Sequence, residues 1–369
     1  MKLTIGKEQL INGLQTVQNI VTSRTSLPVL SNVLLRAEEG HLDLVATDLD
    51  VSISCRVEAK VSEPGSTTVP VKRIFGIVRE LPAPEIDLEV DEKNVTLIQS
   101  GSSYYKINGL GAEEFPPIQP VVETRKLSLA QEKVRTMLRR TSFAISNDEA
   151  RFVLNGLFFS VKEHKVTVVA TDGRRLALAE EELETAVTEP GEIIIPAKAI
   201  NELNRLLVAE GQMEIKFNAN QVSFTIVGEK NSSIQMISKL IEGNYPNYRQ
   251  VIPAELKERV PLAREEFLMA VHRAEFMTSD KNRAVKLTFT KNNLAITANS
   301  AEVGEGRESL AVNYKGKDIA VAFNPLFLMD PLKAIADDEV FLEITDELSP
   351  AVIKVNGPYL YVIMPMRTN

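Results

Sequence analysis

One pattern occurs three times in this sequence, and the repeat constrains the fold more than any other feature does. The clearest copy is residues 166–178, where an alternating, β-branched strand is followed by Thr, Asp and Gly and then by a second alternating strand. β-Branched alternation is typical of a strand, and the Thr-Asp-Gly stretch is typical of a tight turn. Related stretches occupy residues 42–53 and 294–303. The sequence therefore predicts three hairpins of one design.

Two sets of landmarks recur at nearly the same spacing. The turn positions are 124 and 127 residues apart: Asp48, Asp172 and Asn299. The second set consists of prolines that each follow an apolar strand, 126 and 129 residues apart: Pro70, Pro196 and Pro325. Because a repeat of this kind governs the fold, we predict three tandem domains, residues 1–124, 125–253 and 254–369.

Apolar periodicity predicts two helices in each copy. Stripes at helical spacing begin with Leu10, Leu14, Val17 and Val21, and each helix is flanked by alternating strands. We therefore predict an α+β fold in which every domain packs two helices on antiparallel sheets. The chain would then contain six helices.

Composition is that of an ordinary globular protein. Hydrophobic residues make up 44% and charged residues 25% of the chain, enough for a core in each copy. Cys55 is the only cysteine, so it has no internal disulfide partner, and we expect a small core residue. No apolar run approaches a signal peptide or a membrane span. We expect a cytoplasmic, nucleoid-associated protein with no membrane partner.

Charge is segregated by secondary structure. The net charge is −8, yet the six predicted helices together carry +5, which leaves −13 on the strands and loops. On a single helix, basic residues are most simply a solvated face. If the helices instead line the inside of a ring, a polyanion meets a positive wall despite the negative total. Twelve helices from two chains would enclose a lining roughly 30–38 Å across.

Motifs for catalysis are missing. The three histidines, His41, His164 and His272, are widely separated, and no metal-binding or phosphate-cradling motif occurs. We expect no metal, no cofactor and no catalytic residue. Asp48 and Asp172 are conceivable as a carboxylate dyad, but equivalent repeat positions favour two separate turn caps.

Four stretches resemble one family along the whole chain, the bacterial DNA polymerase III beta subunits or beta sliding clamps. They are residues 27–32 (LPVLSN), 170–176 (ATDGRRL), 245–248 (YPNY) and 364–367 (MPMR). The resemblance implies a head-to-tail homodimer that closes into a ring, with helices inside and sheets outside. Such a ring slides on double-stranded DNA without sequence preference. It also implies a non-catalytic processivity factor, with the replicative polymerase alpha subunit, a clamp loader and other clamp-binding-motif proteins as partners.

The resemblance also implies three sets of site residues. The DNA contacts are Gln15, Arg24, Arg151, Phe152 and Lys198, to which the charge pattern adds Arg73. The peptide pocket for partners comprises Leu154, Thr171, Gly173, Arg174, Arg175, Leu176, Pro246, Val251, Val362, Met364, Pro365, Met366 and Arg367. The dimer interface joins Tyr105 and Ile107 to Phe276 and Met277 of a second chain.

Some positions depart from the family pattern. Asp148 replaces an amide and Val153 an aromatic residue beside the expected DNA contacts, while Arg174 and Gln250 stand where His and Arg are frequent. Methionines and aliphatic residues suit several apolar peptide anchors, and we expect Arg175 to help fix the peptide.

Two other functions remain open from the sequence. One is a peptide-binding adaptor that does not encircle DNA, since the helices of the third copy sum to only −1. The other is an enzyme that uses the Thr-Asp turns.

Overall fold

The structure is a computed structural model, and it describes residues 1–21, 27–122, 125–187, 189–228, 232–254 and 257–367. These residues form six α-helices of ten to twelve residues each: α1 (Lys7–Val17), α2 (Val71–Glu80), α3 (Gln131–Thr141), α4 (Ala197–Leu206), α5 (Arg264–Glu275) and α6 (Pro325–Ala334).

Strands make up most of the remaining structure. In the first copy they are β1 (Lys2–Gly6), β2 (Asn32–Glu38), β3 (His41–Thr47), β4 (Val51–Glu58), β5 (Lys60–Glu63), β6 (Gly65–Pro70), β7 (Glu85–Val90), β8 (Val95–Ser100) and β9 (Ser103–Asn108). In the second they are β10 (Arg125–Ala130), β11 (Gly156–Lys162), β12 (Lys165–Thr171), β13 (Arg175–Glu182), β14 (Gly191–Pro196), β15 (Gln212–Phe217), β16 (Gln221–Val227) and β17 (Ser233–Lys239). In the third they are β18 (Glu258–Ala263), β19 (Val285–Thr290), β20 (Asn293–Ser300), β21 (Gly304–Ala311), β22 (Ile319–Phe323), β23 (Glu339–Ile344), β24 (Ala351–Lys354) and β25 (Tyr359–Ile363).

The element order confirms the predicted α+β repeat. A unit of one strand, one helix and three strands occurs six times in the described residues, and β5 is the one strand added to it. Helix α1 ends at Val17, so the prediction that Val21 extends its apolar face is wrong, although Val21 is buried. Asn324 caps α6, since its side chain accepts a hydrogen bond from the Leu326 N–H (3.0 Å).

Strand register refines the third repeat landmark. Thr47 pairs with Ser52, Thr171 with Leu176 and Asn299 with Glu305. Asn299 therefore corresponds to the two threonines, and its neighbour Ser300 corresponds to Asp48 and Asp172. The sequence had matched Asn299 to the aspartates, one residue too early.

The described chain divides into two compact units. The first unit comprises residues 1–135 and 198–240, and the second comprises residues 136–197 and 241–369. Each unit therefore combines a terminal copy with half of the central copy. The boundaries of the compact units differ from those of the sequence repeat, so the domain limits drawn from the repeat stay a prediction.

The first unit contains two antiparallel sheets. Their strand orders are β5-β1-β7-β8-β9 and β10-β15-β16-β17-β4-β3-β2-β6. Helix α1 packs on β3 and β4 and buries Leu10, Leu14 and Val17. The β4–β17 pair joins the first copy to the second, with Ser52 opposite Ile237.

The second unit repeats this plan. Its sheets have the orders β14-β11-β12-β13-β25-β24-β23-β18 and β21-β20-β19-β22. The β13–β25 pair joins the second copy to the third and corresponds to β4–β17, with Leu176 opposite Val362. In the described residues, β9 and β21 each have a neighbour on one side only.

Candidate functional site

The turn that organises the candidate pocket lies in the second unit, between β12 and β13. Thr171 Oγ1 donates to the Arg175 carbonyl (2.6 Å) and accepts from the Gly173 N–H (3.1 Å). Asp172 Oδ1 accepts from the N–H groups of Arg174 (2.9 Å) and Arg175 (3.1 Å). Gly173 has a φ of +83°, a conformation that favours glycine. These hydrogen bonds confirm the prediction that Thr171 and Asp172 cap a turn.

The Arg175 side chain holds this turn in place. Its guanidinium donates to Asp172 (3.0 Å) and to the Phe143 carbonyl (2.8 Å) and forms an ion pair with Asp330. It also stacks over the Phe327 ring, 4.4 Å from the centroid. The side chain is only 10% exposed. These contacts stabilise the wall of the site, and the expectation that Arg175 also helps to fix a bound peptide stays a prediction.

The floor of the candidate pocket is apolar. Buried side chains from six strands and a short 3-10 turn form one cluster: Phe158, Val169, Leu176, Ile194, Tyr248, Val352 and Val362. Tyr245 stacks on Phe158 with ring centroids 5.1 Å apart. Tyr245 and Tyr248 belong to residues 241–252, here called the second connector, which lies against the sheet. Burial raises the pKa of Tyr245, so its hydroxyl stays protonated.

Exposed apolar residues surround this floor. Met364 is 41% exposed, Met366 37% and Val251 47%. The chain after β25 is held by its backbone, since the Met364 N–H donates to the Arg174 carbonyl (3.0 Å) and the Met366 N–H to the Ala322 carbonyl (2.7 Å). The two methionines are therefore displayed on a fixed backbone, where their flexible thioethers can adapt to an apolar ligand.

The other predicted pocket residues take varied positions. Leu154 is buried at the end of a 3-10 turn (Glu149–Leu154). Pro246 and Arg367 are exposed, and Pro365 is half-buried. Sequence reasoning missed Phe158, Val169 and Leu178 in the floor. The alternation of β11, β12 and β13 marks them as core residues, but nothing local shows which sheet face the connector covers.

The predicted DNA contacts are all exposed where the structure describes them. Gln15 and Arg73 lie on α1 and α2, and Phe152 is 57% exposed. Arg24 lies outside the described residues.

Two of the cations already have acidic partners. Lys198 forms an ion pair with Asp48, and Arg151 Nε donates to Asp148 Oδ2 (2.9 Å). Burial opposes ionisation of Asp48, but Lys198 and the N–H groups of Val51 and Asp50 outweigh it and lower the pKa. The Arg151 guanidinium lowers the pKa of Asp148. A phosphate would have to compete with these carboxylates.

The predicted interface residues lie on or near β9 and β21, two of the strands at sheet edges. Tyr105 and Ile107 both belong to β9, where Tyr105 is 44% exposed and Ile107 is buried. Phe276 is 63% exposed just after α5. Met277 approaches Gly306 on β21 closely, because a Cβ on Gly306 would lie 2.8 Å from Met277 Cγ.

Two other kinds of site are missing from the described ranges. Within the described ranges, no group of three His, Cys, Asp or Glu side chains is arranged to hold a metal ion. None of the helices in that part of the chain has the length and apolar character of a membrane span.

Comparison with known proteins accounts for the whole chain. Family models for the N-terminal, central and C-terminal domains of the DNA polymerase III beta subunit match residues 1–119, 128–247 and 249–367. The beta sliding clamp of Chlamydia trachomatis is 36% identical, over 100% of this chain and 87% of that protein. The beta sliding clamp of Pseudomonas putida is 34% identical, over 100% of both chains.

Solved structures agree. A sliding clamp from Pseudomonas aeruginosa bound to griselimycin superimposes with a TM-score of 0.95 at 34% identity, over 100% of both chains. The Bacillus subtilis sliding clamp gives a TM-score of 0.94 at 28% identity, again over 100% of both chains. These matches place the chain among the DNA sliding clamps. It belongs to the bacterial DNA polymerase III beta subunit family, so the resemblance inferred from the sequence is confirmed.

Proposed function

We propose that two copies of this chain close head to tail around double-stranded DNA and act, without catalysis, as the processivity factor that tethers the replicative polymerase. Family membership supports this function, and the observation that carries the ring is that β9 and β21, which correspond to the strands paired at the two internal junctions, both lie at sheet edges. Two junctions between copies, β4–β17 and β13–β25, form within the chain. The third equivalent junction needs β21 and β9, and we propose that each finds its partner strand on a second chain.

The internal repeat predicts which residues of β21 and β9 lie opposite each other at this third junction. Glu305 on β21 corresponds to Ser52 and Leu176, and Lys106 on β9 corresponds to Ile237 and Val362. The same pairing therefore sets Glu305 opposite Lys106 of the second chain, a favourable charge pair. It also sets Tyr105 opposite Gly306, on the side where Met277 lies. In this arrangement Tyr105 and Met277, two of the four interface residues predicted from the sequence, would lie on the same side of the junction.

A disulfide tests the register. Directly opposite residues in an antiparallel pair have Cα atoms about 4.5–5.5 Å apart, within disulfide range, so Lys106→Cys with Glu305→Cys should link two chains under mild oxidation. Lys106→Cys with Arg307→Cys is the control, because diagonal neighbours are about 7–8 Å apart. The native Cys55 should not interfere, since burial raises its pKa to about 11. Equal linkage of both pairs would contradict the register.

We propose that the DNA contacts are sequence-independent and come from exposed residues on and beside the helices, including Gln15, Arg24, Arg73, Arg151 and Lys198, with Phe152 packing on sugar. The helices carry +5 of charge in a chain of −8, which supports a positive inner wall. Contacts to phosphate and sugar position a protein without reading bases, as sliding requires.

We propose that the apolar pocket of the second unit binds short peptides of the polymerase alpha subunit, the clamp loader and other partners. Its apolar floor and displayed methionines support this. The loader would supply the nucleotide chemistry for ring opening, and the site of action would be the nucleoid in the cytoplasm.

The decisive experiment compares circular and linear plasmid. The chain is loaded with its clamp loader and ATP, and the salt concentration is then raised. A closed ring stays on the circle and slides off the linear form, because threading survives salt that weakens phosphate contacts. Equal loss from both plasmids would contradict a closed ring and favour a peptide-binding adaptor that does not encircle DNA.

A further inference from the structure

A second cavity lies in the first unit, at the position that corresponds to the apolar pocket of the second. Strands β2, β3, β4, β17 and β16 form its floor, and residues 110–118, here called the first connector, form its wall. Its volume is about 590 Å³, within the range of roughly 300–1,000 Å³ typical of ligand sites. Phe115, Pro116 and Ile118 supply an apolar side.

The two cavities share their backbone construction. The first connector is attached through the Leu110 N–H to the Thr68 carbonyl (3.1 Å), and the second through the Ile241 N–H to the Ile194 carbonyl (2.9 Å). Each connector then carries an aromatic residue followed by proline, Phe115-Pro116 and Tyr245-Pro246.

The turns beside the cavities match equally well. In the first unit the Lys239 N–H donates to the Asp50 carbonyl (2.9 Å), as the Met364 N–H donates to the Arg174 carbonyl in the second. Leu49 has a φ of +80° where Gly173 has +83°. The repeat has therefore built two sites on one backbone plan.

Their side chains differ in polarity at corresponding floor positions. Where the apolar pocket has Leu176, Leu178 and Leu360, the strand register places Ser52, Ser54 and Gln235. Ser54 and Gln235 line the first cavity, together with Thr225 and Ser233. Ser52 already bonds to Thr47 Oγ1 (2.8 Å), and Gln235 Nε2 donates to Ser223 Oγ (3.3 Å). The hydroxyls of Ser54, Thr225 and Ser233 can hydrogen-bond a peptide backbone.

Among the described residues, one positive charge in the cavity has no partner. Arg56 donates to both carboxylate oxygens of Asp43, at 2.7 and 2.9 Å, so these two charges offset each other. Arg36 also lines the cavity, is exposed, and forms no side-chain hydrogen bond or ion pair with the described residues. The corresponding residue of the second unit is the neutral Ser160. The cavity thus offers one free guanidinium beside an apolar wall.

We propose that this cavity is a second peptide site, which binds an extended acidic segment of a partner protein. A carboxylate pairs with Arg36, an adjacent apolar side chain packs on Phe115 and Ile118, and the floor hydroxyls bind the peptide backbone. Arginine is suited to carboxylates because its donors form a planar fork. The expectation of a peptide rests in part on the proposed function of the matching apolar pocket.

Fluorescence anisotropy on the full chain tests this proposal with two labelled peptides. The acidic probe is Gly-Ser-Asp-Leu-Asp-Gly, and the apolar probe has two leucines, one phenylalanine and no charge. Arg36→Ala should lower the affinity for the acidic probe at least tenfold and leave the affinity for the apolar probe unchanged. Arg36→Lys should restore part of the affinity, because it restores the charge without the fork.

Two further variants separate this site from general attraction to basic surfaces. Ser54→Leu copies Leu178 and should weaken the acidic probe by filling the cavity floor. Arg139→Ala removes an exposed charge from α3 and should have no effect. The proposal is overturned if the acidic probe fails to bind the unaltered chain at about 1 mM, or if Arg36→Ala and Arg139→Ala weaken it equally. Failure of the apolar probe alone would count against the apolar pocket and not against this site.

Discussion

The two connectors lie against corresponding faces of two eight-stranded sheets, and both cover apolar residues, yet the two faces differ in polarity at three corresponding positions. Their strand orders correspond. The matching hydrogen bonds of the turns and of the connector attachments agree in length to within a few tenths of an ångström. Their floors differ through Ser52, Ser54 and Gln235 in the first unit against three leucines in the second. A repeated backbone therefore fixes where a site lies, and a few side chains on one face of a sheet decide what it can bind.

The largest expected difference between the units concerns Arg175 and its counterpart Val51. Arg175→Ala leaves Asp172 and Asp330 without their cation, and because Asp330 is 30% exposed we expect a loss of about 3 kcal/mol of local stability. Val51→Ala, which removes only buried methyl groups, should cost about 1–2 kcal/mol. Hydrogen exchange of β13 and β4 measures each locally. A smaller effect at Arg175 would show that the arginine adds little to the wall.

The next prediction concerns Met364 and the corresponding Lys239. Met364→Ala should weaken an uncharged apolar peptide about tenfold, equivalent to about 1.4 kcal/mol, because the methionine is displayed beside the apolar floor. Lys239→Ala is the matched control in the first unit and should leave that affinity unchanged. Anisotropy titration distinguishes the two, and thermal melting should show that both variants fold.

A smaller effect is expected at the left-handed turn position. Leu49 has a positive φ and is 45% exposed, so Leu49→Gly should stabilise the first unit by up to about 1 kcal/mol. Gly173→Ala should destabilise the second by about 1–2 kcal/mol, and its Cβ would lie 2.5 Å from Arg151 Nη1 unless that side chain moved. Urea denaturation measures both changes. Stabilisation by Gly173→Ala would contradict the strain argument.

The smallest effect is the pH dependence of the Asp48–Lys198 pair. The pKa of Asp48 is lowered below its ordinary 3.8 in the folded chain, so its contribution is complete above that value and is lost as pH falls through the folded pKa. We expect Asp48→Asn to cost about 1 kcal/mol or less at neutral pH, with the difference from the unaltered chain vanishing in strong acid. Thermal melting from pH 7 downward checks this. A stability difference between the two chains that grew as the pH fell would contradict this direction of the pH dependence.

Much of the fold could be predicted from the sequence because it depends on local patterns. Apolar spacing predicted the six helices, and alternation predicted the hairpins, since both reflect which residues face the core. The Thr-Asp turns were recognised because their hydrogen bonds join neighbours in the chain, such as Gly173 to Thr171. Only strand pairing shows that the Asn299 landmark is misplaced, because five residues separate Asn299 from its partner Glu305 and four separate Thr171 from Leu176.

The candidate site was predictable only in part. The family motifs identified the methionines and Leu176, but Phe158 and Tyr245 joined the site through the connector lying on the sheet. The sequence did not show that Arg175 supports the turn, because its partner Asp330 is 155 residues away. The peptide, DNA and interface assignments themselves stay predictions.

The sequence by itself determined the number of copies, the order of elements in each, the α+β class and the family, because these follow from periodicity and short motifs. Only the tertiary structure decided that β4 pairs with β17 and β13 with β25, that the compact units divide the central copy, and that two corresponding cavities differ in polarity. The physical reason is that strand pairing brings together residues more than a hundred positions apart. The free energy of such a pair depends on both partners at once, and neither partner's local sequence contains it.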